Sequence, residues 1–178
     1  MQTSLDAPNR VLANFILSSG TNLGADAPPE LGEELKKDWR AVISELMASG
    51  VSATSKVEHP EIIAFIEGGF RNTTNFTDEV FWASVADPNG VFGWNISDRL
   101  KDTKQPTLII AGEEDGATSP AQNQFLANNI PGAKIKFYRD VGHFCQIENR
   151  PCLTKIYGGL LRKSLEIHWL TFFACATH

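Results

Sequence analysis

Gln105-Pro106-Thr107-Leu108-Ile109-Ile110-Ala111-Gly112-Glu113-Glu114-Asp115 begins the stretch that decides the fold, and Lys134-Ile135-Lys136-Phe137-Tyr138 followed by Gly142-His143 ends it. The apolar run of the first segment, Pro106 to Ala111, reads as a strand that stops at the turn formers Gly112 to Asp115. The second segment reads as a strand from Lys134 to Tyr138. Between them Ser119-Pro120-Ala121-Gln122 carries two helix-start signals at once, a proline at the first helical position and a Ser-x-x-Gln capping box. That helix runs to about Asn129 and stops before Pro131-Gly132. A strand–helix–strand unit of this length requires parallel pairing through a right-handed crossover.

Working outward, Val11-Leu12-Ala13-Asn14-Phe15-Ile16-Leu17 predicts a mostly buried strand that ends at Ser18-Ser19-Gly20. From Glu30 to Ala48, Leu31, Leu35, Trp39, Val42, Ile43, Leu46 and Met47 recur at helical spacing, and Gly50 is placed to stop the helix. Pro60 opens a second helix with Ile62, Ile63, Phe65 and Ile66 on its apolar face, and Gly68-Gly69 weakens its end. Thr77 is an N-cap candidate, with Asp78 and Glu79 in the first turn of a third helix that breaks at Asp87-Pro88-Asn89-Gly90. A helix is expected from about Arg150 to Ser164, interrupted by Gly158-Gly159, and an apolar tail follows. The aromatics Trp39, Phe65, Phe81 and Trp82 fall at positions suited to core packing or to lining a pocket.

Open parallel sheets place reactive groups beyond the C-terminal ends of their strands. Asp115 and His143 both fall there, on strands expected to be neighbours. A carboxylate beside a histidine fixes its tautomer and stabilises the imidazolium, and a histidine so held serves as a general base near neutral pH. Either residue taken alone is an ordinary loop residue; together, at two adjacent strand ends, they form a candidate acid–base pair. Glu113 and Glu114 do not extend this to a metal site, because adjacent carboxylates on a turn point apart.

The words Gly112-Glu113-Glu114-Asp115, Ile130-Pro131-Gly132-Ala133 and Gly142-His143-Phe144 resemble the α/β-hydrolase family. The resemblance spans roughly Arg10 to Pro151. It implies that Asp115 is the triad acid, that His143 is the base, that Val11 to Leu17 is the family's sixth strand and that the helical block is its cap. His59-Pro60-Glu61-Ile62-Ile63 and Ala86-Asp87-Pro88-Asn89-Gly90 look most like the enol-lactonase branch. The chain departs from the family in two respects. The nucleophile word Gly-x-Ser-x-Gly, which in the family precedes a helix, is absent. Gly50-Val51-Ser52-Ala53-Thr54 follows a helix and lacks the second glycine. Ser18 and Ser19 follow a strand but lead into a loop. The family's oxyanion-hole segment is absent as well.

Composition fits an ordinary globular domain: 178 residues, 42% hydrophobic and 21% charged. A net charge of −5 gives no basic footprint for nucleic acid. Cys145, Cys152 and Cys175 show neither a disulfide framework nor zinc-ligand spacing. The first residues do not resemble a signal peptide, the sequons at Asn72, Asn75 and Asn95 therefore read as chance, and no stretch is long enough to span a membrane. The expectation is a cytoplasmic α/β protein with a partial α/β-hydrolase fold: a short parallel sheet of about three strands with a helical cap insertion. Residues 1–164 form the C-terminal portion of the hydrolase domain, with the cap-like block at about 21–100 and an atypical apolar tail at 165–178. The implied reaction is hydrolysis of a small-molecule carboxylic ester or lactone through Asp115 and His143, with no cofactor and no metal. Lacking the nucleophile half, the chain alone is expected to be inactive. The alternative is a non-catalytic module that self-associates through an exposed strand edge.

Overall fold

A computed structural model of the chain describes residues 1–21, 30–72, 77–87, 90 and 92–149. The helix expected at Arg150 to Ser164 and the tail at 165–178 lie outside the described residues. A short helix α1 (Gln2–Asp6) leads into strand β1 (Asn14–Leu17). Four helices follow: α2 (Leu31–Ser49), α3 (Ala53–Glu58), α4 (Pro60–Asn72) and α5 (Asp78–Ala86). Strand β2 (Thr107–Gly112), helix α6 (Pro120–Asn129), strand β3 (Lys134–Tyr138) and a short helix α7 (Cys145–Glu148) complete the described fold.

The sheet has the order β1-β2-β3, and both pairs are parallel. Its central strand is buried at every position, which is why it reads as an unbroken apolar run. Leu108 and Ile110 face one side, with Phe15, Leu17, Tyr138, Val141 and Cys145. Ile109 faces the other, with Ile16, Ile96, Leu100, Leu126 and Ile130. The alternation follows from the two-residue period of a strand, so a one-residue slip would exchange the two sets. β1 is shorter than the run from Val11 predicted. Pairing starts at Asn14, which faces Thr107 and donates its amide to the Pro106 carbonyl. β2 itself begins at Thr107, so residues before Asn14 have no partner strand, and Leu12 stands in solvent.

The capping box of α6 is present in both directions, and the Thr77 hydroxyl accepts from the Val80 amide as an N-cap. The helix expected over 30–48 is broken. Asp38 leaves helical geometry (φ −158°, ψ 84°), and its Oδ1 accepts from the Ala41 amide at 3.0 Å. The side chain thus caps a new helical start inside an apolar pattern that never loses its period. Across the break Trp39 stacks on Phe81 with ring centroids 4.1 Å apart, and Trp39 Nε1 donates to Asp78 Oδ1 at 2.9 Å. Trp39 and Phe81 are core residues, whereas Phe65 is exposed. α4 continues through Gly68-Gly69 to Asn72. Burial of Ile62 and Ile66 against Val51 holds α4 to the rest of the fold. This same cluster includes Phe144 and Ile147, and so fastens the helical block to the segment that carries His143.

Candidate active site

The two loops that carry Asp115 and His143 are laced together by backbone before any side chain acts. Glu113 donates its amide to the Tyr138 carbonyl at 2.9 Å, and Glu114 donates to the Val141 carbonyl at 3.0 Å. Gly112 permits this approach, since a Cβ there would lie 2.0 Å from the Val141 carbonyl oxygen. Asp140, with φ 56°, turns the chain out of β3 toward Gly142, a conformation that Asp tolerates better than most residues.

The result is a direct contact. His143 Nδ1 lies 3.1 Å from Asp115 Oδ2 and 3.2 Å from Oδ1. The Asp115 side chain is fully buried and the His143 ring is mostly buried. Asp115 Oδ1 also accepts from the amides of Ala117 (2.9 Å) and Thr118 (2.7 Å), and Oδ2 accepts from Thr118 Oγ1 (2.9 Å). The carboxylate is therefore both a turn former and a partner of histidine. The turn role explains why an aspartate suits this loop on local grounds alone.

Burial alone would raise the Asp115 pKa. Hydrogen bonding and charge from His143, then the Thr118 amide and hydroxyl, outweigh it and hold the group below its ordinary value of 3.8. An ionised carboxylate only accepts, so the hydrogen between the pair belongs to His143 Nδ1. In the neutral ring this leaves the lone pair on Nε2, the form a general base requires. Because the folded carboxyl is depressed, its contribution to stability is complete above about pH 4, near the unfolded value, and is lost as pH falls through the folded one. Asp115→Asn is thus expected to be less stable than the parent chain at neutral pH, with the gap closing below about pH 4. Urea midpoints measured from pH 7 to pH 2.5 test this, and a gap that widens in acid contradicts it.

Thr118, which the sequence pattern did not single out, contacts both members of the pair, with Oγ1 3.2 Å from His143 Nδ1. Its signal was its position, three residues after an aspartate in a turn. The sequence pattern marked Gly50 as a helix stop but did not place the segment from Gly50 to Ser52 beside His143. Gly50 ends α2 without left-handed geometry (φ −69°), so its lack of a side chain serves a close approach instead. A Cβ there would meet His143 Cβ at 3.0 Å and Ala117 Cβ at 3.1 Å, and the Gly50 carbonyl accepts from the His143 amide at 2.7 Å.

Among the described residues no serine hydroxyl is hydrogen-bonded to His143. Ser52 is buried and accepts from the Ser55 amide as the N-cap of α3. Ser18 has a strained backbone (φ 40°) at the end of β1, but its buried hydroxyl lies 3.3 Å from Cys145 Sγ. Burial pushes the Cys145 thiol up to about 11, so it is no substitute nucleophile at neutral pH.

No protein-family model matches the chain. Solved structures do. An N-acyl homoserine lactone degrading enzyme is 49% identical with a TM-score of 0.84; the match covers 89% of this chain and 61% of that one. The chain has the α/β-hydrolase fold. The enol-lactonase from Burkholderia xenovorans LB400 shares the fold at 20% identity and a TM-score of 0.73, covering 90% of this chain and 60% of that one. An α/β hydrolase from a Medee basin deep-sea metagenome library does so at 18% identity and 0.66, with coverages of 90% and 60%. The chain thus spans about three fifths of the hydrolases it matches. Among the described residues no helix is long and apolar enough to cross a membrane.

Proposed function

We propose that this chain carries the acid and base of a hydrolase acting on a carboxylic ester or lactone, Asp115 and His143, and that the attacking serine comes from a segment other than the described residues. The observation that carries this is the buried contact of 3.1 Å between His143 Nδ1 and the Asp115 carboxylate at the ends of neighbouring parallel strands. In the completed site His143 Nε2 accepts the serine proton as the oxygen attacks the carbonyl. The imidazolium, paired with Asp115, returns that proton to the departing alkoxide, leaving an acyl-enzyme. Water then repeats the cycle, with His143 as base, and releases the acid. No cofactor enters this sequence. Similarity to the lactone-degrading relative at 49% identity favours a lactone, whose leaving alkoxide stays tethered to the acyl group. A reducing, cytoplasmic setting belongs to the same reading, and Cys145 is free.

Fluorophosphonate labelling tests the division of labour. The chain alone should take up no probe. A chimera that joins it to the part of the lactone-degrading relative it does not cover should be labelled on a serine of the added part, and should open N-acyl homoserine lactones. Stoichiometric labelling of the chain alone, lost in His143→Ala, would show that it holds its own nucleophile. β1 lies at one edge of the described sheet, which supports the second reading of an associating module. A chimera that folds, buries that edge and yet hydrolyses nothing favours it.

A further inference from the structure

From its hydrogen bonds we infer that Glu148 is a positioning residue for the base, an inference that rests on the acid–base reading above. Glu148 closes the short helix α7, five residues beyond His143. Its carboxylate accepts three backbone amides. Oε2 takes those of Gly142 and Ser52, both at 3.0 Å, and Oε1 takes that of Phe144 at 3.0 Å. Gly142 and Phe144 flank His143, and the His143 amide is itself bound to the Gly50 carbonyl at 2.7 Å. Three consecutive amides around the base are therefore tied down, two of them by one side chain and the third by the segment that Glu148 also holds through Ser52. Hydrogen bonds to an ionised acceptor are about twice as strong as neutral ones, and a carboxylate can satisfy several donors at once.

The geometry gives Glu148 a second effect. Gly50 to Ala53 joins α2 to α3, so it belongs to the cap-like block. It is gripped from the base side by Glu148 and from the acid side by Glu114, whose Oε2 accepts from the Ala53 amide at 2.7 Å. Gly142 has to be glycine for this contact, because a Cβ there would lie 2.6 Å from the Ser52 nitrogen. The cap connection is thus threaded between the acid loop and the base loop, and Glu148 fixes the base loop to it. Loss of the carboxylate frees the His143 backbone to drift from Asp115 without removing any group that touches substrate.

Nuclear magnetic resonance of the chain itself tests this without any need for turnover. In Glu148→Gln, amide exchange at Ser52, Gly142 and Phe144 should accelerate at least tenfold. The His143 ring nitrogens should also shift from the Nδ1-protonated pattern toward a mixture of tautomers, with loss of the downfield Nδ1 proton signal. Glu148→Asp, which keeps the charge on a shorter arm, should restore part of both. Unchanged exchange, or faster exchange with an unchanged tautomer, overturns the inference and leaves Glu148 a merely structural residue. If Glu148→Gln does not fold, Glu148→Asp decides by the same two signals, faster exchange and a partial tautomer shift being required. Asp115→Asn is the parallel control: a parent tautomer that does not respond to it sinks the acid–base pair and the positioning role together, whereas the amide exchange rates report on the clamp alone.

Discussion

Asp115→Asn is expected to lower lactone turnover in the chimera by about 10⁴-fold, the loss that follows when a triad acid becomes an amide. The reason lies in the turn. Oδ1 is fixed as an acceptor by the amides of Ala117 and Thr118, so an asparagine oxygen must take that place. Its amino group then occupies the Oδ2 position, facing Thr118 Oγ1 and His143 Nδ1. A donor aimed at Nδ1 drives the ring proton to Nε2, the atom that must accept the serine proton. The fall should appear in kcat with little change in KM, because no contact with substrate is altered. Circular dichroism should show the fold intact, since the turn keeps both amide bonds. A loss smaller than about tenfold would remove Asp115 from the chemistry.

Gly142→Ala should be strongly destabilising. The added methyl would stand 2.1 Å from the Gly50 carbonyl oxygen and 2.6 Å from the Ser52 nitrogen. Both are backbone atoms in a segment held at each end, so no rotamer change relieves the clash. Overpacking in a rigid site costs about 1–3 kcal/mol, and contact with fixed backbone places this substitution at or above the upper end. The thermal midpoint should drop by roughly 10 °C for a chain of this size. Gly69→Ala is the matched control. It sits in α4 with nothing within 4 Å of the added Cβ, and should gain up to about 1 kcal/mol. Equal midpoints for the two variants would show that Gly142 is not under the constraint described.

The meeting of Asp115 and His143 was legible in the sequence because each follows a run that reads as a strand, and a strand end in a parallel sheet is a defined place. The α6 capping box and the Thr77 cap were legible for a related reason: their bonds close within four residues. The break at Asp38 was not, since the apolar spacing continues through it and only a side-chain bond marks the new start.

What the sequence determined by itself is local or periodic. The central strand is buried at every position because both its faces are covered, and α3, α5 and α6 start where a hydroxyl caps them. Tertiary structure alone decided that no serine hydroxyl among the described residues is bonded to His143, that Thr118 contacts both Asp115 and His143, and that Glu148 binds the amides of Ser52, Gly142 and Phe144. Ser52 and Glu148 are 96 residues apart in the chain and meet at 3.0 Å. No pattern of spacing encodes such a bond, because hydrogen bonds between distant segments depend on where packing of the intervening elements leaves each backbone amide.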